Sequence, residues 1–155
     1  MNMENAETQI ANLLHRYADA VDRGDFDTVA TLLKSGSILD SEGTCLANGY
    51  AQVLEMYNNL IRLYADGTPK TQHVLSNLIL QLNGDGSSAS AKAYYSVFQK
   101  QDDGSIKAII CGQYQSKFKK VDGKWVFIEH RMHPRIVGDM SRHLKIRIDE
   151  IQPQK

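Results

Sequence analysis

The sequence has no surplus of either charge: 18 basic residues balance 18 acidic ones. It also has no basic run or stripe. That argues against nucleic acid or an anionic membrane surface as a partner, since both recruit proteins through clustered Lys and Arg. No apolar run approaches membrane-spanning length. The stretch Met1–Ala20 lacks the basic start and apolar block of a secretory signal. Cysteine is scarce. Cys45 and Cys111 lie far apart with no metal or redox spacing. They read as reduced thiols of a cytoplasmic protein rather than as a disulfide. There is no Gly-rich phosphate loop or nucleotide motif, so no cofactor is implied. Internal repeats and low-complexity segments are missing too. What is present is 155 residues, enough for one domain with a substantial core.

The first half has helical periodicity. Ala6–Arg23 carries Ile10, Leu13, Leu14, Tyr17, Ala18 and Val21 on one helical face. Gly24 closes that helix, and Asp25 caps the next, Phe26–Leu33. Ser37–Asp40 and Thr44–Ala47 read as short strands. Tyr50–Tyr64 is a third helix, with Tyr57 on its apolar side, stopped by Asp66-Gly67-Thr68-Pro69.

From there the period falls to two. Thr71–Leu82 is a long strand with His73, Leu75, Asn77 and Ile79 on one face. Val74, Leu78, Leu80 and Leu82 lie on the other. Both faces need cover. The helices supply one side and a second copy of the chain the other, so a homodimer or higher homo-oligomer is expected. Ala89–Gln99 returns antiparallel in an open register, so either Tyr94 or Tyr95 shares the face of His73. Ile106–Arg135 is a hairpin turning at Asp122-Gly123, a dipeptide suited to the positive φ of a type I′ turn. Uniform pairing sets Lys120 against Trp125, Phe118 against Phe127 and Ser116 against Glu129. Tyr114 then faces Arg131, and Gly112 faces His133. One face thus runs from Trp125, Phe127 and Phe118 into Tyr114, Glu129, Arg131 and His133. Either the sheet leaves the core there or it lines a polar-ended cavity. His130 and His133 face opposite ways on a strand, which rules them out as a metal pair.

Helices followed by consecutive hairpins predict an α+β fold. The expected architecture is a single domain over 1–155, with its core at about 6–135 and a tail at 136–155. A curved antiparallel sheet wraps three N-terminal helices into a cone with an interior pocket.

Four stretches in order carry a likeness. They are Leu14–Asp27 (LHRYADAVDRGDFD), Thr71–Asn77 (TQHVLSN), Gly112-Gln113-Tyr114 and Asp122–Phe127 (DGKWVF). The chain resembles the SnoaL-like branch of the nuclear transport factor two-like superfamily, which includes scytalone dehydratase and bile-acid dehydratase. The resemblance implies that Asp22, late in the first helix, pairs with His73, which removes a substrate proton. It implies a substrate-polarising role for Tyr17 and offers Arg131 as the Arg near the end of the sheet. Tyr57, Asn77, Tyr114 and Glu129 complete the expected binding residues. Imidazole titrates near neutrality, and a carboxylate on one ring nitrogen orients the other. The function implied is a cofactor-independent lyase, by dehydration, of a small and largely apolar molecule. Double-bond isomerisation or cyclisation is the next choice. The rival is a non-catalytic ligand-binding or subunit-assembly protein such as a ring-hydroxylating dioxygenase β-subunit. Ala89–Gln99 contains no Asp or Glu, where bile-acid dehydratase has an Asp, and this favours the rival.

Overall fold

Helix α1 (Ala6–Asp22) starts where the Asn5 side chain accepts the Thr8 amide at 2.8 Å. Its apolar stripe buries Ile10, Leu14, Tyr17 and Val21. Burial of a side chain of this size stabilises by about 1.5–3 kcal/mol. Gly24, at φ +69°, turns the chain in a conformation that favours glycine. Asp25 then caps α2 (Phe26–Leu32), accepting the Thr28 amide at 3.0 Å and the Thr28 hydroxyl at 2.7 Å. The computed structural model describes residues 5–147. Its remaining elements are β1 (Ser37–Leu39), β2 (Cys45–Asn48), α3 (Gly49–Leu60), β3 (Thr71–Leu82), β4 (Ser88–Lys100), β5 (Ile106–Val121) and β6 (Lys124–Val137).

The strands form one curved sheet in the order β2-β1-β6-β5-β4-β3. The three helices pack on its inner face, as expected of an α+β cone. One join departs from the expected antiparallel pattern: β1 runs parallel to β6. Helix α3 ends four residues early. Ile61 is extended and bridges Leu144, while the Arg62 amide donates to the His143 carbonyl at 2.8 Å. The segment after β6 takes over the backbone that would have continued the helix. Residues 148–155 of the expected tail lie outside the described residues.

The β5–β6 hairpin turns at Asp122-Gly123, with φ +50° and +76°. Near the turn the uniform pairing holds, with Lys120 against Trp125 and Phe118 against Phe127. Phe118, Trp125 and Phe127 are buried on the helix side. Then Lys117 pairs with Glu129, leaving Ile128 as an extra residue. One added residue reverses the faces of everything beyond it. Ser116 therefore meets His130, and Tyr114 meets Met132. His130 turns inward, while Glu129 and Arg131 turn out. A second irregularity, at Asn77-Leu78, breaks the pairing of β3 with β4. Asn77 adopts φ +54°. Leu78 and Leu80, expected on the outer face, pack against the core instead, and Ile79 is 62% exposed.

Candidate active site

The β3–β4 register settles which tyrosine shares the face of His73. His73 pairs with Val97 and Leu75 with Tyr95, so Tyr95 points inward and Tyr94 is exposed. Tyr95 stacks on Tyr114 with ring centroids 4.3 Å apart. Gly112 makes room for it, because a Cβ there would collide with the Tyr95 hydroxyl and the His133 carbonyl.

A cavity of about 180 Å3 lies between helices and sheet. Its wall is mostly apolar, including Leu60, Ile61, Val97, Ile110 and Met132. Asp22 closes α1, and its carboxylate receives three hydrogen bonds from the start of β3. Oδ1 takes the Thr71 hydroxyl at 2.8 Å and His73 Nδ1 at 2.6 Å, and Oδ2 takes the His73 amide at 2.7 Å. A carboxylate acceptor fixes the proton on Nδ1 and leaves Nε2 with a free lone pair. His73 lines the cavity with its side chain only 7% exposed. Asp22 and His73 thus converge as expected.

Tyr17, Tyr57, Tyr95 and Tyr114 line the same cavity. The Tyr17 and Tyr57 hydroxyls are hydrogen-bonded to each other. Burial, reinforced by the neighbouring phenols, pushes Tyr17 and Tyr114 well above the usual tyrosine range. Burial also raises Tyr57 and Tyr95. These hydroxyls keep their protons and can act as hydrogen-bond donors.

Three expected binding residues stand elsewhere. Asn77 is exposed at the β3 irregularity. Glu129 forms an ion pair with Lys117 at 3.0 Å on the outer face. Arg131 is half-buried outside the cavity, its guanidinium beside Gly43. For Glu129 and Arg131 the cause is the residue inserted at Ile128, and for Asn77 it is the irregularity of β3 itself; no local signal announces either.

Other wall residues were missed. Asp40 is one, but its Oδ1 is occupied by the Glu42 and Thr44 amides at 2.9 and 2.8 Å. Met140, His143 and Leu144 come from the segment after β6. Its sparse hydropathy gave no sign of a place in the wall. His143 is buried, with Nδ1 unpartnered. Burial, aided by the neighbouring His73, lowers its pKa to about 4. His130 is fully buried and bonds the Ser116 hydroxyl through Nδ1 at 2.9 Å. Among the described residues, no three His, Cys, Asp or Glu side chains are grouped to hold a metal. No helix among them is long and apolar enough to cross a membrane.

A family model for a SnoaL-like domain matches residues 4–131. No curated protein matches the chain. Several solved structures share its fold. One is a candidate scytalone dehydratase from Novosphingobium aromaticivorans, with 19% identity, a TM-score of 0.65, and 86% of each chain covered. Another is an NTF2-like protein with a cystatin-like fold from the same organism, at 17% identity and TM-score 0.67, covering 81% of this chain and 79% of that one. LinA is similar at 16% identity and TM-score 0.67, covering 86% and 88%. At such identities the likeness is one of fold, and fold alone does not carry a reaction. With residues 4–131 inside the family model, the chain belongs to the SnoaL-like domain family.

Proposed function

We propose that the protein is a cofactor-independent lyase that removes water from a small, largely apolar hydroxy ketone. The observation that carries this reading is the 2.6 Å contact of Asp22 with His73 Nδ1, which leaves Nε2 to a mostly apolar cavity. His73 Nε2 takes a proton from the carbon beside the carbonyl, and Asp22 stabilises the imidazolium that results. The tyrosine cluster of Tyr17, Tyr57 and Tyr114, in which Tyr17 and Tyr57 share one hydrogen bond, supplies a donor for the carbonyl oxygen as charge grows on it. The C–H pair becomes the new C=C bond, the C–O bond breaks toward oxygen, and that oxygen takes the proton back from His73 as water leaves. The fold shared with a candidate scytalone dehydratase supports dehydration ahead of isomerisation or cyclisation.

The second reading is a ligand-binding protein. It is favoured by the outward placement of Arg131 and by the strand β4, which holds no carboxylate. Turnover of 3-hydroxy-1-tetralone to 1-naphthol, followed by absorbance, separates the two. A lyase accelerates it, and His73→Ala removes about a hundredfold to ten-thousandfold of the rate while circular dichroism stays unchanged. A binding protein holds 1-naphthol and turns over nothing.

The reading includes a homodimer in the cytoplasm, where Cys45 and Cys111 stay as free thiols. Val74, Ser96, Cys111 and Ile136 align across the outer face of β3 to β6. Val74 is 43% and Ile136 70% exposed. Sedimentation at micromolar concentration should give the mass of two chains. The mass of one would contradict it.

A further inference from the structure

We propose that His143, from the segment after the sheet, is a second catalytic residue, the one that hydrogen-bonds the departing hydroxyl. The inference rests on the lyase reading above. Four observations carry it. His143 lines the same cavity as His73. Its ring is buried, yet Nδ1 has no partner in the protein. Buried polar atoms are nearly always satisfied, so an unpartnered nitrogen on a ring that lines a cavity is a group left to bond a ligand atom. The ring is also close enough to His73 for that neighbour to add to burial in keeping His143 unprotonated. Finally, its backbone is held firmly. Arg62 donates to the His143 carbonyl at 2.8 Å, Lys145 to the Leu60 carbonyl at 2.8 Å, and the Tyr64 hydroxyl to the Arg142 carbonyl at 2.6 Å.

These features assign the leaving oxygen rather than the carbonyl. The hydroxyl must lie near His73, because His73 returns its proton there, and His143 is near His73. The tyrosines already provide a donor for the carbonyl. A neutral imidazole also suits a leaving hydroxyl, since in the tautomer with its proton on Nδ1 it donates to that oxygen. No proton is consumed from His143. His73 gains one from carbon and gives it to the oxygen, while the His143 ring steadies that oxygen as its bond to carbon breaks.

The test compares two probes. Deuterium exchange at C2 of 1-tetralone in D2O, read by proton NMR, needs only His73 of the two histidines. Elimination from 3-hydroxy-1-tetralone needs both histidines. His143→Leu should lower elimination about a hundredfold or more relative to exchange, as for loss of one preorganised donor. His143→Gln, which still donates and accepts, should lose less, but its ratio of elimination to exchange should still fall. If the Leu variant does not fold, that ratio in the Gln variant decides. An unchanged ratio overturns the proposal, as does an equal fall in both rates, which would mark His143 as structural. If wild-type protein turns over neither probe, the lyase reading itself fails and this inference falls with it.

Discussion

Two histidines sit inside the cone with their Nδ1 atoms bonded, and their surroundings set them apart. His73 joins α1 to β3 through the Asp22 carboxylate and borders the cavity. His130 lies in the β5–β6 wall, bonded to the neutral Ser116 hydroxyl at 2.9 Å. Aromatic rings enclose it, with Tyr17 at 4.4 Å and Tyr114 at 4.5 Å between centroids. Burial alone holds His130 neutral, with its pKa lowered to about 3. A histidine becomes a proton carrier when it has a charge partner on one nitrogen and open space on the other. His73 has both, and His130 has neither.

Removing each ring should therefore fail in different ways. The largest effect is His73→Ala, which costs about a hundredfold to ten-thousandfold in turnover of 3-hydroxy-1-tetralone and little stability. His130→Ala should instead cost about 2–5 kcal/mol, the range for emptying a core position, read from urea denaturation. The pH dependence sharpens the contrast. His130 binds no proton in the folded state until pH falls to about 3, whereas its ordinary value is 6.5. Its contribution is present in full above pH 6.5 and is lost as pH falls from there toward 3. The loss amounts to a few kcal/mol, because each tenfold rise in proton concentration across that window favours the unfolded chain by about 1.4 kcal/mol. His143 adds a slope of the same sign between its ordinary 6.5 and about 4. His130→Leu should flatten the acid limb of the stability profile. Ser116→Ala, which leaves the buried Nδ1 alone, should cost about 1–3 kcal/mol. Smallest is Glu129→Gln. It breaks a half-exposed pair with Lys117 worth about 0–1 kcal/mol and should leave turnover unchanged. A large loss of turnover would return Glu129 to the site.

The sequence made the helices, the bounds of β3 and the Asp122-Gly123 turn legible, because each has a local cause. The convergence of Asp22 and His73 followed from motif order and was met at 2.6 Å. What escaped was phase. A residue inserted at Ile128 sent Glu129 and Arg131 outward and brought His130 in, and the irregularity at Asn77 did the same to Leu78 and Leu80. Such insertions satisfy the twist of a long, bent sheet, which is a tertiary demand with no residue type of its own. His143 escaped for another reason. Its segment is anchored by backbone bonds to Leu60 and Arg62, and backbone atoms leave no mark in hydropathy.

Deuterium incorporation at C2 of 1-tetralone is the decisive measurement, because it reads proton abstraction with no leaving group involved. Wild-type protein in D2O should introduce the label, His73→Ala should lose it, and His130→Leu should keep it as far as the folded fraction allows. Label entering His73→Ala at the wild-type rate would contradict His73 as the base.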